Sequence, residues 1–147
     1  MIRVEVVNAH PRRRTRKAPL ERAVRGVLRE EGRNTGDVRV VLINHARCIR
    51  LNEVFLRHRG TTDVISFPLG EGNDLEGEIY LNLDQASVQA KQYGVSGRNE
   101  TIRLVVHGTL HLLGYDDTTA ALRRVMKLRE DAYTALLAPH ERISRRA

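Results

Sequence analysis

The feature that most constrains this chain is a pair of histidines, His107 and His111, which stand four residues apart in an apolar stretch. On a helix this spacing places both rings on one face, one turn apart, where two imidazoles can bind a single metal ion. Gly114 follows, and a glycine there can end the helix in a left-handed conformation and turn the chain back. The turn would bring Asp117 to the histidines. The sequence therefore predicts a metal site on a helix and the turn after it.

The predicted ligands, His107, His111 and Asp117, favour a catalytic zinc ion, one per chain. Two histidines and one carboxylate leave the fourth tetrahedral position to water, whereas structural zinc sites are closed by four protein ligands. A lone histidine on an apolar helix is more often a core residue, but the pair with its glycine turn and carboxylate favours metal. Gly108 stands where a zinc protease carries its general-base Glu, so a protease is an alternative that lacks its base.

Three motifs occur in order between about residues 50 and 117. They are Leu51-Asn52-x-x-Phe55 followed by Thr62-Asp63-Val64-Ile65-Ser66-Phe67-Pro68, then Gly77-Glu78-Ile79-Tyr80-Leu81, and finally His107-Gly-Thr-Leu-His111-Leu-Leu-Gly-Tyr-Asp-Asp117. Together they resemble the YbeY family of bacterial metal-dependent endoribonucleases. The resemblance implies a single-strand-specific endoribonuclease that matures ribosomal RNA at the 16S 3′ end and serves ribosome quality control. The implied partners are ribosomal RNA and the small ribosomal subunit. A ribosome-binding factor with a mainly structural metal is the alternative from another class.

Two positions depart from the family pattern. Leu56 stands where the family usually carries an arginine beside the metal, so we expect Arg57, His58 or Arg59 to supply the catalytic charge. The alternative for these three residues is an ordinary exposed turn. Asp117 stands where most relatives carry a third histidine, which makes the metal site less positive by one unit. The neighbouring Asp116 is predicted to bond the local backbone, and no general base is assigned.

The charge of the chain indicates a polyanionic partner, either nucleic acid or a membrane surface. Net charge is +7, with 22 Arg against three Lys, and arginine binds phosphate bidentately. Only six aromatic residues are available to stack on bases, so contacts to the nucleic-acid backbone are favoured. Arg12, Arg13, Arg14, Arg16 and Lys17 form a basic cluster that is either a phosphate contact or a solvated loop.

The hydrophobic pattern predicts one domain over residues 1–147 in the order βαβαββααα, an α/β (α+β) layer domain with a mixed four-stranded sheet. Val38–Ile43 is predicted as a central strand, and two later strands around Val64 and Ile79 should pair antiparallel. Asn44 and Thr118 are predicted helix caps, and Cys48 a small core residue without a disulfide partner. No signal peptide or membrane span is recognised, which predicts a cytoplasmic protein.

Overall fold

The computed structural model describes residues 1–56, 60–70 and 74–138. These residues form four strands, β1 (Ile2–Asn8), β2 (Gly36–Ile43), β3 (Val64–Pro68) and β4 (Glu76–Asn82). The α-helices are α1 (Lys17–Glu30), α2 (His45–Leu51), α3 (Leu83–Tyr93), α4 (Gly97–Leu112) and α5 (Ala120–Leu137), and a π-helical turn (Asn52–Leu56) follows α2. None of these helices is both long and apolar enough to cross a lipid bilayer.

The four strands form one mixed sheet in the order β1-β2-β4-β3. β2 pairs parallel with both β1 and β4, and β3 pairs antiparallel with β4, with Ser66 opposite Ile79. The predicted order of elements, the mixed four-stranded sheet and the antiparallel pair are therefore confirmed. β2 lies at the centre because its apolar run can be covered on both faces.

Helices cover the two faces of the sheet unequally. On one face α1 and α4 pack against the strands, α5 lies across both helices, and α3 packs beside α4. The main core lies here, where alternate residues of the strands meet the helices, as Val38, Val40, Leu42, Ile79 and Leu81 do. The other face carries a smaller cluster in which Cys48 of α2 packs with Val41, Ile43 and Ile65. Cys48 is a buried core residue, as its position predicts.

Helix starts follow local capping rules, with one correction. Asn44 accepts a hydrogen bond from the backbone N–H of Arg47 at 3.0 Å and caps α2 as predicted. The final helix is capped by Thr119, whose hydroxyl accepts from the N–H of Leu122 at 3.1 Å. The prediction of Thr118 was wrong because its hydroxyl donates to Asp116 at 2.9 Å and so belongs to the preceding turn.

Candidate metal centre

The two histidines lie on the exposed edge of α4, a helix that is otherwise largely buried. Ser96 caps the start of α4 by accepting from the N–H of Asn99 at 3.0 Å. The side chains of His107 and His111 are 27% and 30% exposed, enough to bind a ligand from solvent while the helix stays packed. Nε2 of His107 lies 3.1 Å from Nε2 of His111. The predicted spacing therefore places both rings on one face.

The turn after α4 brings Asp117 to this pair. Gly114 has φ +101°, the left-handed conformation that favours glycine, and the N–H of Tyr115 reaches back to the carbonyl oxygen of Leu110 at 3.0 Å. Oδ2 of Asp117 then lies 3.6 Å from Nε2 of His111. One donor atom from each of the three residues lies within 4.8 Å of the others.

Two of these separations are close to those expected for a tetrahedral zinc ion. Ligand atoms about 2.0–2.1 Å from such an ion lie about 3.3 Å from one another. The measured separations of 3.1 Å between the histidine nitrogens and 3.6 Å to the carboxylate bracket that value. The three residues could therefore hold a zinc ion after small side-chain rotations, with a fourth position left for water.

Hydrogen bonds behind each ring determine which nitrogen faces the site. Nδ1–H of His111 donates to the carbonyl oxygen of Tyr115 at 3.1 Å, and Nδ1–H of His107 donates to Oε1 of Glu130 at 2.5 Å. Both acceptors lack a proton to donate, so each Nδ1 carries the hydrogen and each neutral ring turns a lone pair on Nε2 to the other. Two lone pairs 3.1 Å apart require a cation, a proton or a metal ion, between them.

The environment also shifts the histidine pKa values in opposite directions. Burial lowers the pKa of His107, but the Glu130 carboxylate more than offsets this effect, so the pKa is raised overall. For His111, burial and the neighbouring His107 lower the pKa. His107 is therefore the more readily protonated of the two rings, and a metal ion would need both of them in the neutral form.

Glu130, which was not predicted from the sequence, contacts one ring of the histidine pair. It is 8% exposed on α5, and its second oxygen accepts from the guanidinium of Arg103 at 2.8 Å. Burial raises the pKa of Glu130, but the hydrogen bonds from His107 and Arg103 lower it overall and keep it ionised. The sequence does contain an indication that Glu130 is paired. It lies between Met126 and Tyr133 on the apolar stripe of α5, where burying an unpaired carboxylate would cost free energy.

A partly buried carboxylate ties the turn to the rest of the molecule. Glu31, at the end of α1, accepts hydrogen bonds from the hydroxyls of Tyr115 and Tyr133 and from Arg129. The Tyr115 contact is 2.6 Å long. Because the carbonyl oxygen of the same Tyr115 holds His111, this cluster positions the metal turn against α1 and α5.

Gly108 faces the sheet, not the metal. A Cβ atom at this position would lie 2.8 Å from Cγ2 of Ile79 and 3.1 Å from Oγ of Ser66, and that hydroxyl donates to the carbonyl oxygen of Gly108 at 3.0 Å. Any larger side chain would push α4 off the strands. A general-base Glu of the protease type is therefore sterically excluded at this position.

Asp116 does not point to the site either. Its Oδ1 accepts from the N–H groups of Asp117 and Thr118 at 2.7 and 3.1 Å. The hydrogen bond from the Thr118 hydroxyl, together with these two backbone bonds, lowers the pKa of its carboxyl. The prediction that Asp116 bonds the local backbone is confirmed.

A polar cleft of about 580 Å³ opens beside His111, lined in part by Asn52, Thr61, Thr62 and Ser66. Leu56, the first departure from the family pattern, also lines it and is 40% exposed. The predicted catalytic residues Arg57, His58 and Arg59 follow Leu56 directly but lie outside the described residues.

The basic cluster near the N-terminus is partly engaged in local contacts. His10 is 5% exposed, and its Nδ1 accepts from the N–H groups of Arg12 and Arg13. Its Nε2–H therefore donates to Asp84, at 2.8 Å. Arg13 pairs with the same carboxylate at 3.0 Å, and Arg14 donates to the carbonyl oxygen of His10. Two of the five cations, Arg13 and Arg14, thus stabilise the segment in which they lie.

Comparison with known proteins gives a consistent result. Residues 5–138 match the family model described as Endoribonuclease YbeY. The Endoribonuclease YbeY of Chlorobaculum tepidum is 40% identical over 114 residues, 78% of this chain and 83% of that protein. The Salinibacter ruber protein of the same name is 34% identical over 145 residues and covers 92% of both. The solution structure of a Thermotoga maritima protein matches 93% of this chain and 89% of its own, with TM-score 0.63 and 23% identity, and supports the fold.

Proposed function

This chain belongs to the endoribonuclease YbeY family, and from that premise we propose that it is a zinc-dependent endoribonuclease that hydrolyses single-stranded RNA. Its substrate would be ribosomal RNA, including the 3′ end of the 16S molecule, and it would act with the small ribosomal subunit in the cytoplasm and serve ribosome quality control. Residues 1–147 would act as one domain.

The observation that carries the proposal is the pair of Nε2 atoms 3.1 Å apart, with the Asp117 carboxylate 3.6 Å from one of them. Hydrogen bonds to Glu130 and to the Tyr115 carbonyl aim both lone pairs at this point. Zinc bound there would supply an activated water and polarise a phosphoryl oxygen. One zinc ion per chain is expected.

The residues of the chain would orient the substrate around this site. The hydroxyls of Thr61, Thr62 and Ser66 and the amide of Asn52 line the cleft beside His111 and offer hydrogen bonds to a phosphodiester. We propose Arg57, His58 and Arg59 as the source of the cation that stabilises developing negative charge. The reason is their position in the sequence, directly after Leu56, which lines this cleft.

A second candidate function is a ribosome-binding factor whose metal is mainly structural. Two observations favour it: Asp117 supplies a negative charge where a histidine would be neutral, and the side chain lining the cleft at position 56 is leucine. Both reduce the positive charge available for phosphate chemistry.

The test compares wild-type protein with Asp117→Ala, Asp117→His and the control Asp116→Asn. Zinc content comes from elemental analysis, and cleavage is measured on single-stranded RNA, duplex RNA and casein. Asp117→Ala should lose zinc and RNA cleavage. Asp117→His should keep zinc and move the acidic limb of the pH–rate profile to lower pH, because the site gains one positive charge. Asp116→Asn should resemble the wild type, since its acceptor atoms serve the turn.

The outcomes separate the candidate functions. Zinc binding without cleavage of any RNA would support the ribosome-binding factor, and cleavage of casein alone would support the protease. Unchanged zinc content in Asp117→Ala would reject the ligand assignment.

A further inference from the structure

A second cavity, of about 680 Å³, opens on the other ligands of the metal centre. His107 and Asp117 contribute to its wall, so it adjoins the metal site just as the polar cleft does at His111. The remaining walls come from α5, between Ala120 and Glu130. The metal centre therefore lies between two clefts of different chemical character.

The walls of this second cavity combine apolar surface with three cations and with the carboxylates of Asp117 and Glu130. Arg123, Arg124 and Lys127 are exposed cations that line it, while Met126 and Leu128 contribute apolar atoms. Met126 is 2% exposed and is part of the core, whereas Leu128 is 71% exposed. One helix thus presents two arginines and a lysine next to an apolar surface.

The three cations differ in how far they are already neutralised. Lys127 lies 3.2 Å from Asp131 and 3.8 Å from Glu130. Among the residues that the structure describes, Arg123 donates to one group, the uncharged carbonyl oxygen of Asp117, at 3.2 Å. This contact places its guanidinium at the edge of the metal centre. Arg124 forms no ion pair within residues 1–56, 60–70 and 74–138. Within the described part of the chain, Arg123 and Arg124 are therefore the cations of this cavity that form no ion pair.

We propose that this cavity is the binding site for one nucleotide of single-stranded RNA adjacent to the scissile phosphate, with Arg123 and Arg124 binding backbone phosphates and Leu128 contacting the base. The proposal rests on the proposed function and names where the substrate lies. Phosphates contribute most of the affinity of nucleic acids for proteins. The apolar surface accepts any base, which suits binding to RNA without sequence reading.

The test measures binding of a labelled single-stranded 2′-O-methyl oligoribonucleotide to full-length, zinc-loaded protein by fluorescence anisotropy over a range of salt concentrations. Arg123→Ala/Arg124→Ala should make the log–log salt slope shallower by about 1.4, because each phosphate released from contact contributes about 0.7. Leu128→Ala should weaken binding and leave the slope unchanged, since it carries no charge.

The matched control is Arg22→Ala/Arg29→Ala, which removes the same charge from exposed positions on α1 that line neither cavity of the metal centre. Its salt slope should equal that of the wild type. Since Arg123 contacts the metal turn, Arg124→Ala alone is included and should reduce the slope by about half as much. Zinc affinity, measured by chelator competition, should be unchanged in Arg124→Ala.

An unchanged slope in Arg123→Ala/Arg124→Ala, or an equal loss in the control pair, would overturn the proposal. Gel electrophoresis of each sample checks that the probe stays intact during the titration, so that the measured slope reports binding independently of catalysis. If the native RNA is cleaved but the slope does not change, the proposed site is wrong and the endoribonuclease stands. If the slope changes as expected but no RNA is cleaved, the binding surface stands and the proposed enzyme activity is wrong.

Discussion

Replacing Glu130 by Gln should weaken zinc binding by about tenfold to a hundredfold, although Glu130 does not reach the metal. Its carboxylate uses both oxygens: one accepts from Nδ1–H of His107 at 2.5 Å, and the other from Arg103 at 2.8 Å. A glutamine has a single acceptor oxygen, so it can satisfy only one of these donors. Its NH2 group then faces the other donor, and the variant loses a charge-assisted hydrogen bond.

The magnitude follows from the role of the carboxylate behind a metal-binding histidine. A carboxylate that accepts from Nδ1–H fixes the ring and its tautomer and makes Nε2 a better ligand, and its loss costs about 10- to 100-fold in metal affinity. That range corresponds to about 1.4–2.7 kcal/mol. If the glutamine amide instead donates to Nδ1, the hydrogen of His107 moves to Nε2 and blocks the metal position. The upper part of the range is then expected.

Competition titration against a chromogenic zinc chelator measures the effect directly. The matched control is Asp131→Asn, the next residue of α5, which also loses one negative charge beside Arg103 and Lys127 but touches neither histidine. Its zinc affinity should remain close to that of the wild type. If Glu130→Gln and Asp131→Asn bind zinc equally well, Glu130 does not position His107 and the argument from its hydrogen bond is wrong.

Two further predictions concern stability. Gly108→Ala should destabilise the protein by about 1–3 kcal/mol in urea denaturation, because the new Cβ would lie 2.8 Å from Ile79. The control is Gly97→Ala at the start of the same helix, where the new Cβ would meet no described residue within 4 Å apart from its chain neighbours and its own helix backbone. This variant should not be destabilised. Partial burial raises the pKa of Asp84, but hydrogen bonds from His10, the His45 N–H and Arg13 lower it from 3.8 to about 2 overall. Its ionised form therefore stabilises the fold by at most about 2 kcal/mol above pH 3.8, and this contribution is lost as the pH falls towards 2. Asp84→Asn should abolish that part of the acid dependence, and an unchanged acid transition would contradict the assignment.

The sequence by itself determined the features that depend on neighbours along the chain. Histidines four residues apart share a face of any α-helix, and a glycine free to adopt positive φ ends it, so the approach of Asp117 to His107 and His111 could be predicted from spacing alone. The alternation of apolar and polar residues likewise predicted the strands of the sheet, because successive side chains of a strand point to opposite faces. Arg57, His58 and Arg59 as the catalytic charge stay a prediction.

Only the tertiary structure determines which residues of other elements contact these helices and strands. Glu130 follows His107 by 23 residues, and only the packing of α5 across α4 brings its carboxylate to the ring. Because of the same packing, the exposed residues Arg123 and Arg124 line a cavity at the metal centre. Gly108 is needed because β4 passes beneath it. These contacts join residues far apart in sequence, and their geometry depends on side-chain packing between elements, which periodicity along one element does not specify.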